Sequence, residues 1–378
     1  MSIALVRGRV GRVFIAALAL VALAMHAEVA RAQKNEAERH LLYVALPGVR
    51  DYLEYGGHGL VVFDIDDGHK IVRRIPTAGL SDAGKPLNVK GICGSAASGR
   101  LYISTIKQLM CFDVATDKIV WERTYEGGCD RMSITPDGKL IYLPSLEGPH
   151  WFVLDAASGD ERHKIVPNSG AHNTICGPSG KYAYLAGLKS PLLTVADTSS
   201  QSVRTVGPFS ASIRPFTVDG RETRCYVNVN ELLGFEIGDL QSGRKLASVA
   251  VAGFEKGPVK RHGCPSHGIA LSPNEKEIWL TDAHNQRLHL FDNTTSPPAQ
   301  IESIQLRDEP GWITFGIDGK YAYPSTGEVI DAARRKIVAQ LTDEEGRAVQ
   351  SEKMIEVYLR GPKVARLGNQ FSLGRVSN

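Results

Sequence analysis

Short runs of alternating apolar and polar residues, broken by turns that contain Gly and Asp, repeat along most of the chain. In the stretch "SPNEKEIWLTDAHNQRLHLFD", residues 272–292, a turn is followed by an aromatic strand, a second turn and a strand that ends in Asp. A period of two is typical of strands that bury one face, and aromatic and β-branched residues favour strands. We therefore expect short strands joined by tight turns.

Two markers of this unit recur seven times in step. The aromatic residues of the second strand lie 40 to 59 residues apart, at Tyr43, Tyr102, Tyr142, Tyr184, Tyr226, Trp279 and Tyr323. The acidic residues that end the third strand are Asp64, Asp113, Asp155, Asp197, Glu236, Asp292 and Asp331. Because Asp side chains readily accept hydrogen bonds from nearby backbone groups in turns, we interpret these acids as architectural and not as catalytic.

Units of about 40 residues with four strands each, repeated seven times, predict an all-β, seven-bladed β-propeller. Only residues 33–40 precede the first aromatic strand, which is too few for a separate inner strand. The segment "MIEVYL", residues 354–359, is expected to supply that strand. Pairing of the N- and C-terminal strands would then close the ring, and residues 33–378 would form one domain.

The first 32 residues have the features of a secretory signal peptide. Arg7, Arg9 and Arg12 precede the apolar run 13–25, and a small-x-small cleavage pattern ends at Ala32. The apolar run is too short for a membrane-spanning helix, which needs about 20 residues. The sequence therefore predicts cleavage before Gln33, a periplasmic or secreted protein, and no transmembrane segment in the mature chain.

Charge and cysteine content exclude several classes of protein. The chain has 44 Lys and Arg against 41 Asp and Glu, and removal of residues 1–32 leaves 40 of each. This balance argues against a nucleic-acid partner. Six cysteines allow 15 disulfide pairings in an exported protein, and the sequence does not choose among them. None lies in a CxxC or CxxCH motif, so neither a zinc ribbon nor a c-type haem is supported.

The segments "SITPDGKLIYLPSLEGPHWFVLDAASG" and "ALSPNEKEIWLTDAHNQRLHLFD" carry a resemblance to a known family. With them, residues 40 to about 360 resemble the YVTN-type seven-bladed propellers, which are forty-residue repeats of exported bacterial proteins. The nearest match to the tetrapeptide itself is "YVNV" at residues 226–229. The resemblance implies the propeller fold and export. It leaves function open, because the family includes binding proteins and lactonase-like enzymes.

Alignment of the units places polar residues at the start of the inner strands, where the central channel opens. The candidate ligand-binding residues are Lys90, Asp130, Arg131, His172, Arg214 and His267. Because five of these six residues are Lys, Arg or His, we expect an anionic ligand. The first functional hypothesis is a monomeric recognition module that binds a small anionic ligand, a peptide or a partner protein at the channel mouth.

The second hypothesis is a metal-dependent enzyme, either hydrolase- or lactonase-like or an oxidoreductase. The insertion "AGFEKGPVKRHGCPSHG", residues 252–268, holds His262, Cys264 and His267. His172 is expected to face them across the channel, so the candidate metal ligands are His172, His262 and His267. Histidine and cysteine together suit zinc or copper. The catalytic residues of such an enzyme stay unassigned.

Overall fold

The computed structural model describes residues 38–375 and is all-β. Residues 1–32, which carry the expected signal peptide, lie outside the described part. Within that part, the one helical element is the single 3₁₀ turn Leu53–Tyr55, and no helix is long and apolar enough to cross a membrane. Seven antiparallel sheets succeed one another along the chain, as expected for a seven-bladed propeller.

The strands follow chain order from blade to blade. Blade one contains β1 (Arg39–Leu46), β2 (Gly59–Asp64) and β3 (Lys70–Ile75). Blades two and three contain β4 (Val89–Ser95), β5 (Arg100–Thr105), β6 (Gln108–Asp113), β7 (Lys118–Thr124), β8 (Ser133–Ile134), β9 (Leu140–Pro144), β10 (Trp151–Asp155) and β11 (Glu161–Ile165). Blades four and five contain β12 (Ala171–Cys176), β13 (Tyr182–Gly187), β14 (Leu193–Asp197), β15 (Val203–Val206), β16 (Ile213–Val218), β17 (Arg224–Val229), β18 (Gly234–Asp239) and β19 (Lys245–Ala250).

The last two blades and the closing strands complete the ring. Blades six and seven contain β20 (Ile269–Leu271), β21 (Glu277–Asp282), β22 (Arg287–Asp292), β23 (Ala299–Gln305), β24 (Ile313–Phe315), β25 (Tyr321–Pro324), β26 (Glu328–Asp331) and β27 (Lys336–Gln340). The chain then returns to blade one with β28 (Met354–Arg360) and β29 (Lys363–Leu367).

Ring closure occurs as the sequence predicts. Strand β28 pairs antiparallel with β1, so that Leu41 faces Val357 and Tyr43 faces Ile355. The C-terminal segment thus supplies the inner strand that blade one lacks. Strand β29 adds to β28 as a fifth strand of this sheet, which the sequence did not predict.

The aromatic markers form part of the core, which lies between neighbouring blades. All seven are at most 2 % exposed and lie on the second strand of their blade. The acidic markers accept backbone hydrogen bonds in the following turn, as in Asp197, whose Oδ1 accepts from the N–H groups of Ser199 and Ser200 at 2.9 Å. In blade five the equivalent acid is Asp239 and not Glu236, which is buried within strand β18.

The C-terminal tail, residues 368–375, spans the channel at the end where the inner strands finish. Trp312 Nε1 donates to the carbonyl of Gln370 at 2.6 Å. Ser372 accepts from Thr217 through its carbonyl at 2.9 Å, and Gly374 N donates to Val218 O at 2.9 Å. These contacts join the tail to the inner strands of blades five and seven.

Candidate functional site

A cavity of about 190 Å³ lies where the inner strands begin, and we call it the mouth cavity. It brings together the sequence-predicted residues of five different blades. Its charged and imidazole lining consists of Arg50, Lys90, Arg131, Glu147, His172, Arg214, Arg261, His262, His267, Glu352 and Lys353. Every candidate ligand-binding residue is in this set except Asp130, which lies fully buried directly behind it.

Three of the candidate residues lie at irregularities in the sheet. The pairing register shifts at Lys90, at His172 and at Arg214, each time between the inner strand and its neighbour. A β-bulge bends its strand locally and re-aims a side chain, and bulges are frequent beside functional sites. The inner strands therefore present these three side chains to the cavity by the same local device.

His172 is fixed by hydrogen bonds from both sides. Its Nδ1 donates to Asp130 Oδ2 at 2.6 Å, and its Nε2 accepts from Arg131 Nη1 at 3.2 Å. Burial lowers the pKa of His172, so the imidazole is neutral and in the tautomer that fits both contacts. Burial opposes ionisation of Asp130, but His172 and Lys90, which lies at 3.4 Å, outweigh it and hold the pKa of Asp130 at about 2.

Glu352 is the centre of the charge network in the cavity. Its Oε2 accepts from Lys353 Nζ at 2.9 Å and from Arg131, and its Oε1 lies 3.0 Å from His262 Nδ1. Burial alone would raise the pKa of Glu352, yet the charges of Lys353 and Arg131 keep it well below the usual range. Burial lowers the pKa of Lys353 to about 7, against the attraction of Glu352.

The guanidinium groups of the cavity have different partners. Arg131 stacks over Trp312, with Cζ 4.7 Å from the ring centroid, in addition to its ion pair with Glu352. Arg261 pairs with Asp308. By contrast, neither Arg50 nor Arg214 has a carboxylate partner among residues 38–375.

The groups placed to hold a metal ion differ from the predicted set. One ligand atom each from His262, His267 and Glu352 lies within 4.8 Å of the other two, and all three residues are buried. His172 is not part of this group, and its two ring nitrogens are hydrogen-bonded to Asp130 and Arg131. The structure therefore groups His262 and His267 with Glu352 instead of His172.

The cysteines take no part in this group. All six are buried and unpaired. Cys264 Sγ donates to the carbonyl of Ser266 at 3.1 Å, and burial raises the pKa of its thiol to about 12. Since a metal-binding cysteine must be deprotonated, Cys264 in this state is a poor ligand.

Sequence reasoning missed Glu352, Lys353, Arg261 and Arg50. A signal for the first two was present, because they directly precede "MIEVYL", the segment expected to be an inner strand, and the other candidates also lie at or just before the start of an inner strand. Arg261 and Arg50 lie in insertions outside the repeat, where no period indicates which side chains turn inward.

The chain matches no family model and no curated protein. Among solved structures it is similar to the dihydro-heme d1 dehydrogenase NirN in complex with DHE, with a TM-score of 0.59 and 13% identity over 87% of this chain and 73% of that chain. Hydrazine synthase from Kuenenia stuttgartiensis gives a TM-score of 0.45 at 14% identity over 70% of this chain and 98% of that chain. The similarity to NirN supports the propeller fold, and the weaker one carries no argument. YVTN-type membership remains an expectation from the sequence.

Proposed function

We propose that this protein is a recognition module that binds a small anion in the mouth cavity. The observation that carries the proposal is the excess of cationic over anionic side chains in the lining. Six of its side chains are Arg or Lys, whereas two are carboxylates. Charge-assisted hydrogen bonds from Arg and Lys to a carboxylate, sulfate or phosphate group are roughly twice as strong as hydrogen bonds between neutral groups.

Arg50 and Arg214 are the two groups best placed to make such contacts. Arg214 Nε donates to Asn230 Oδ1 at 2.6 Å and its Nη2 donates to Gly263 O at 3.0 Å. Arg50 donates twice to the carbonyl of Arg261, at 2.8 and 3.1 Å. Neutral acceptors therefore hold both side chains in place without neutralising them, which lowers the entropy cost of binding an anion.

The size of the cavity limits the ligand. Pockets for drug-sized ligands have volumes of about 300–1,000 Å³, whereas the mouth cavity has about 190 Å³. A ligand with one or two carboxylate, sulfate or phosphate groups fits this volume. A peptide or a partner protein would contact only the rim, so the small anion is the favoured ligand among those expected from the sequence.

The solved structure of NirN is described as a complex with DHE, and NirN itself as a dehydrogenase. At 13% identity this similarity extends to the fold alone, so neither the ligand nor the reaction is carried over. The proposal depends on the lining of the cavity and not on that relationship.

A thermal-shift titration with sulfate, phosphate and malonate tests the proposal. A ligand at 100 times its Kd adds about 2.7 kcal/mol to the free energy of unfolding. The Arg50→Gln/Arg214→Gln double variant should lose most of the resulting rise in Tm. Arg334→Gln, which changes an exposed arginine on blade seven, is the matched control. If no anion raises Tm, or if the double variant responds like the wild type, the proposal is wrong.

We also propose that the protein is exported and monomeric, as the sequence predicts. N-terminal sequencing of the protein from the exported fraction should begin at Gln33. Light scattering on the same sample should give the mass of one chain. An intact Met1 in the cytoplasmic fraction, or a mass of two chains, would contradict the respective expectation.

A further inference from the structure

We propose that His262, His267 and Glu352 bind a divalent first-row metal ion, and that the anion of the mouth cavity completes its coordination. The metal site stands on its own geometry. The proposal that the anion coordinates the metal rests on the proposed function, because it concerns how the same cavity holds its anion. Two histidines and one carboxylate form a common protein ligand set for zinc and for non-haem iron, which leaves open positions for water or a substrate.

The distances suit a single ion. Ligands about 2.1 Å from a tetrahedral metal are about 3.4 Å from one another. Glu352 Oε1 lies 3.0 Å from His262 Nδ1 and 3.9 Å from His267 Nδ1, which brackets that value. His267 Nδ1 donates to the carbonyl of Gly311 at 2.8 Å, so metal binding at this atom requires the tautomer that carries the proton on Nε2. Small side-chain movements are therefore sufficient to form the site.

The surroundings orient the carboxylate for this role. Lys353 and Arg131 both donate to Oε2 of Glu352, which leaves Oε1 directed at the two histidines. Partners of this kind fix the orientation of a metal-binding carboxylate. Lys353 is itself held by the carbonyl of Gly48, at 2.8 Å from Nζ.

Gly311, which has no side chain, leaves space for the three proposed metal ligands. A Cβ atom at this position would lie 2.3 Å from His262 Nδ1 and 2.4 Å from Glu352 Oε1. Any larger residue would therefore push apart the two atoms that approach each other most closely. The absence of a side chain at Gly311 is a requirement of this arrangement.

Charge explains why the metal and the anion should bind together. Arg131 and Lys353 lie beside Glu352, so a dication entering alone meets two positive groups and one negative group. An anion in the cavity offsets this repulsion and supplies oxygen ligands for the open positions. Binding of each should then strengthen binding of the other by the same factor, because linkage between two ligands is reciprocal.

The proposal is tested by calorimetric titration of the chelator-treated protein with Zn²⁺, once with and once without malonate. The concentration of free Zn²⁺ is buffered in both titrations, because malonate itself binds Zn²⁺. We expect one Zn²⁺ per chain and a gain of about fivefold or more in affinity with malonate, the lower end of typical coupling. Glu352→Gln and His267→Gln should each weaken the binding of Zn²⁺ by about 100-fold or more. Loss of a residue that only hydrogen-bonds to a metal ligand already weakens metal binding by up to about 100-fold. His163→Ala, on the exposed strand β11, is the control.

The outcomes separate the two proposals. No stoichiometric Zn²⁺ binding, or binding that both folded variants retain, would overturn the metal site. If malonate binds to the metal-free protein and leaves the affinity for Zn²⁺ unchanged, the proposal that the anion coordinates the metal is wrong, whereas the proposal of an anion site in the cavity is supported. If Glu352→Gln does not fold, His267→Gln decides, because that residue carries no buried charge.

Discussion

Replacing His172 by alanine should destabilise the protein, although this residue lines a cavity. The change removes the donor to Asp130 and the acceptor for Arg131. The fully buried carboxylate of Asp130 would then have two remaining partners, the backbone N–H of Arg131 at 2.9 Å and the ammonium group of Lys90 at 3.4 Å. A hydrogen bond to a charged group contributes about 1.5–3 kcal/mol, so we expect a loss of about 2–3 kcal/mol in the free energy of unfolding.

The effect on Tm follows from the size of the protein. The entropy of unfolding is about 2.1 cal/mol/K per residue, or roughly 0.7 kcal/mol/K for about 340 residues. The loss therefore lowers Tm by about 3–4 °C, which calorimetry resolves. His163→Ala, on an exposed position of strand β11, should leave Tm within about 1 °C. A Tm for His172→Ala equal to that of this control would show that the contacts with Asp130 and Arg131 do not stabilise the fold.

Three further predictions concern closure, pH and the metal site. Deletion of residues 350–378 removes strand β28 and should abolish the cooperative thermal transition; an unchanged Tm would contradict ring closure by this strand. Burial lowers the pKa of His69 to about 4, so only the unfolded chain takes up this proton between pH 6.5 and 4. The free energy of unfolding, measured with urea, should therefore fall by about 3 kcal/mol as the pH is lowered from 6.5 to 4. His69→Gln should remove this contribution from the pH dependence, and an equal pH dependence in both proteins would refute the prediction. Gly311→Ala should abolish Zn²⁺ binding in the calorimetric titration while the far-UV spectrum stays that of the wild type, and undiminished binding would contradict the crowding at this position.

The repeat made the architecture predictable from the sequence. Tyr43 and its six counterparts recur because each blade needs one large side chain at the same place in the core. The same regularity located the inner-strand starts, and so His172, Arg214 and His267. The prediction was wrong at Glu236, although the repeat itself is regular there. Asp239 follows Tyr226 by 13 residues, the spacing also found in blades three, four and six, and its carboxylate accepts the hydrogen bonds of the turn.

Side-chain partners were not predictable from the repeat. Whether His172 faces a ligand or a carboxylate depends on Asp130, which reaches it from the neighbouring blade. A His172 that only faced a ligand could be removed with little effect on Tm, whereas its contacts with Asp130 and Arg131 predict a lower Tm. Charge reversal at Arg131 is likewise a poor test of anion binding, since this residue is buried in an ion pair with Glu352.

The most direct test of the central claim is a crystal structure of the protein grown with a low concentration of selenate, with anomalous data collected at the selenium edge. Selenate has the shape and charge of sulfate, and its selenium atom identifies it without ambiguity. Our account predicts a peak in the mouth cavity within hydrogen-bonding distance of Arg50 or Arg214. Anomalous peaks found only on the outer surface, with none in the mouth cavity, would contradict it.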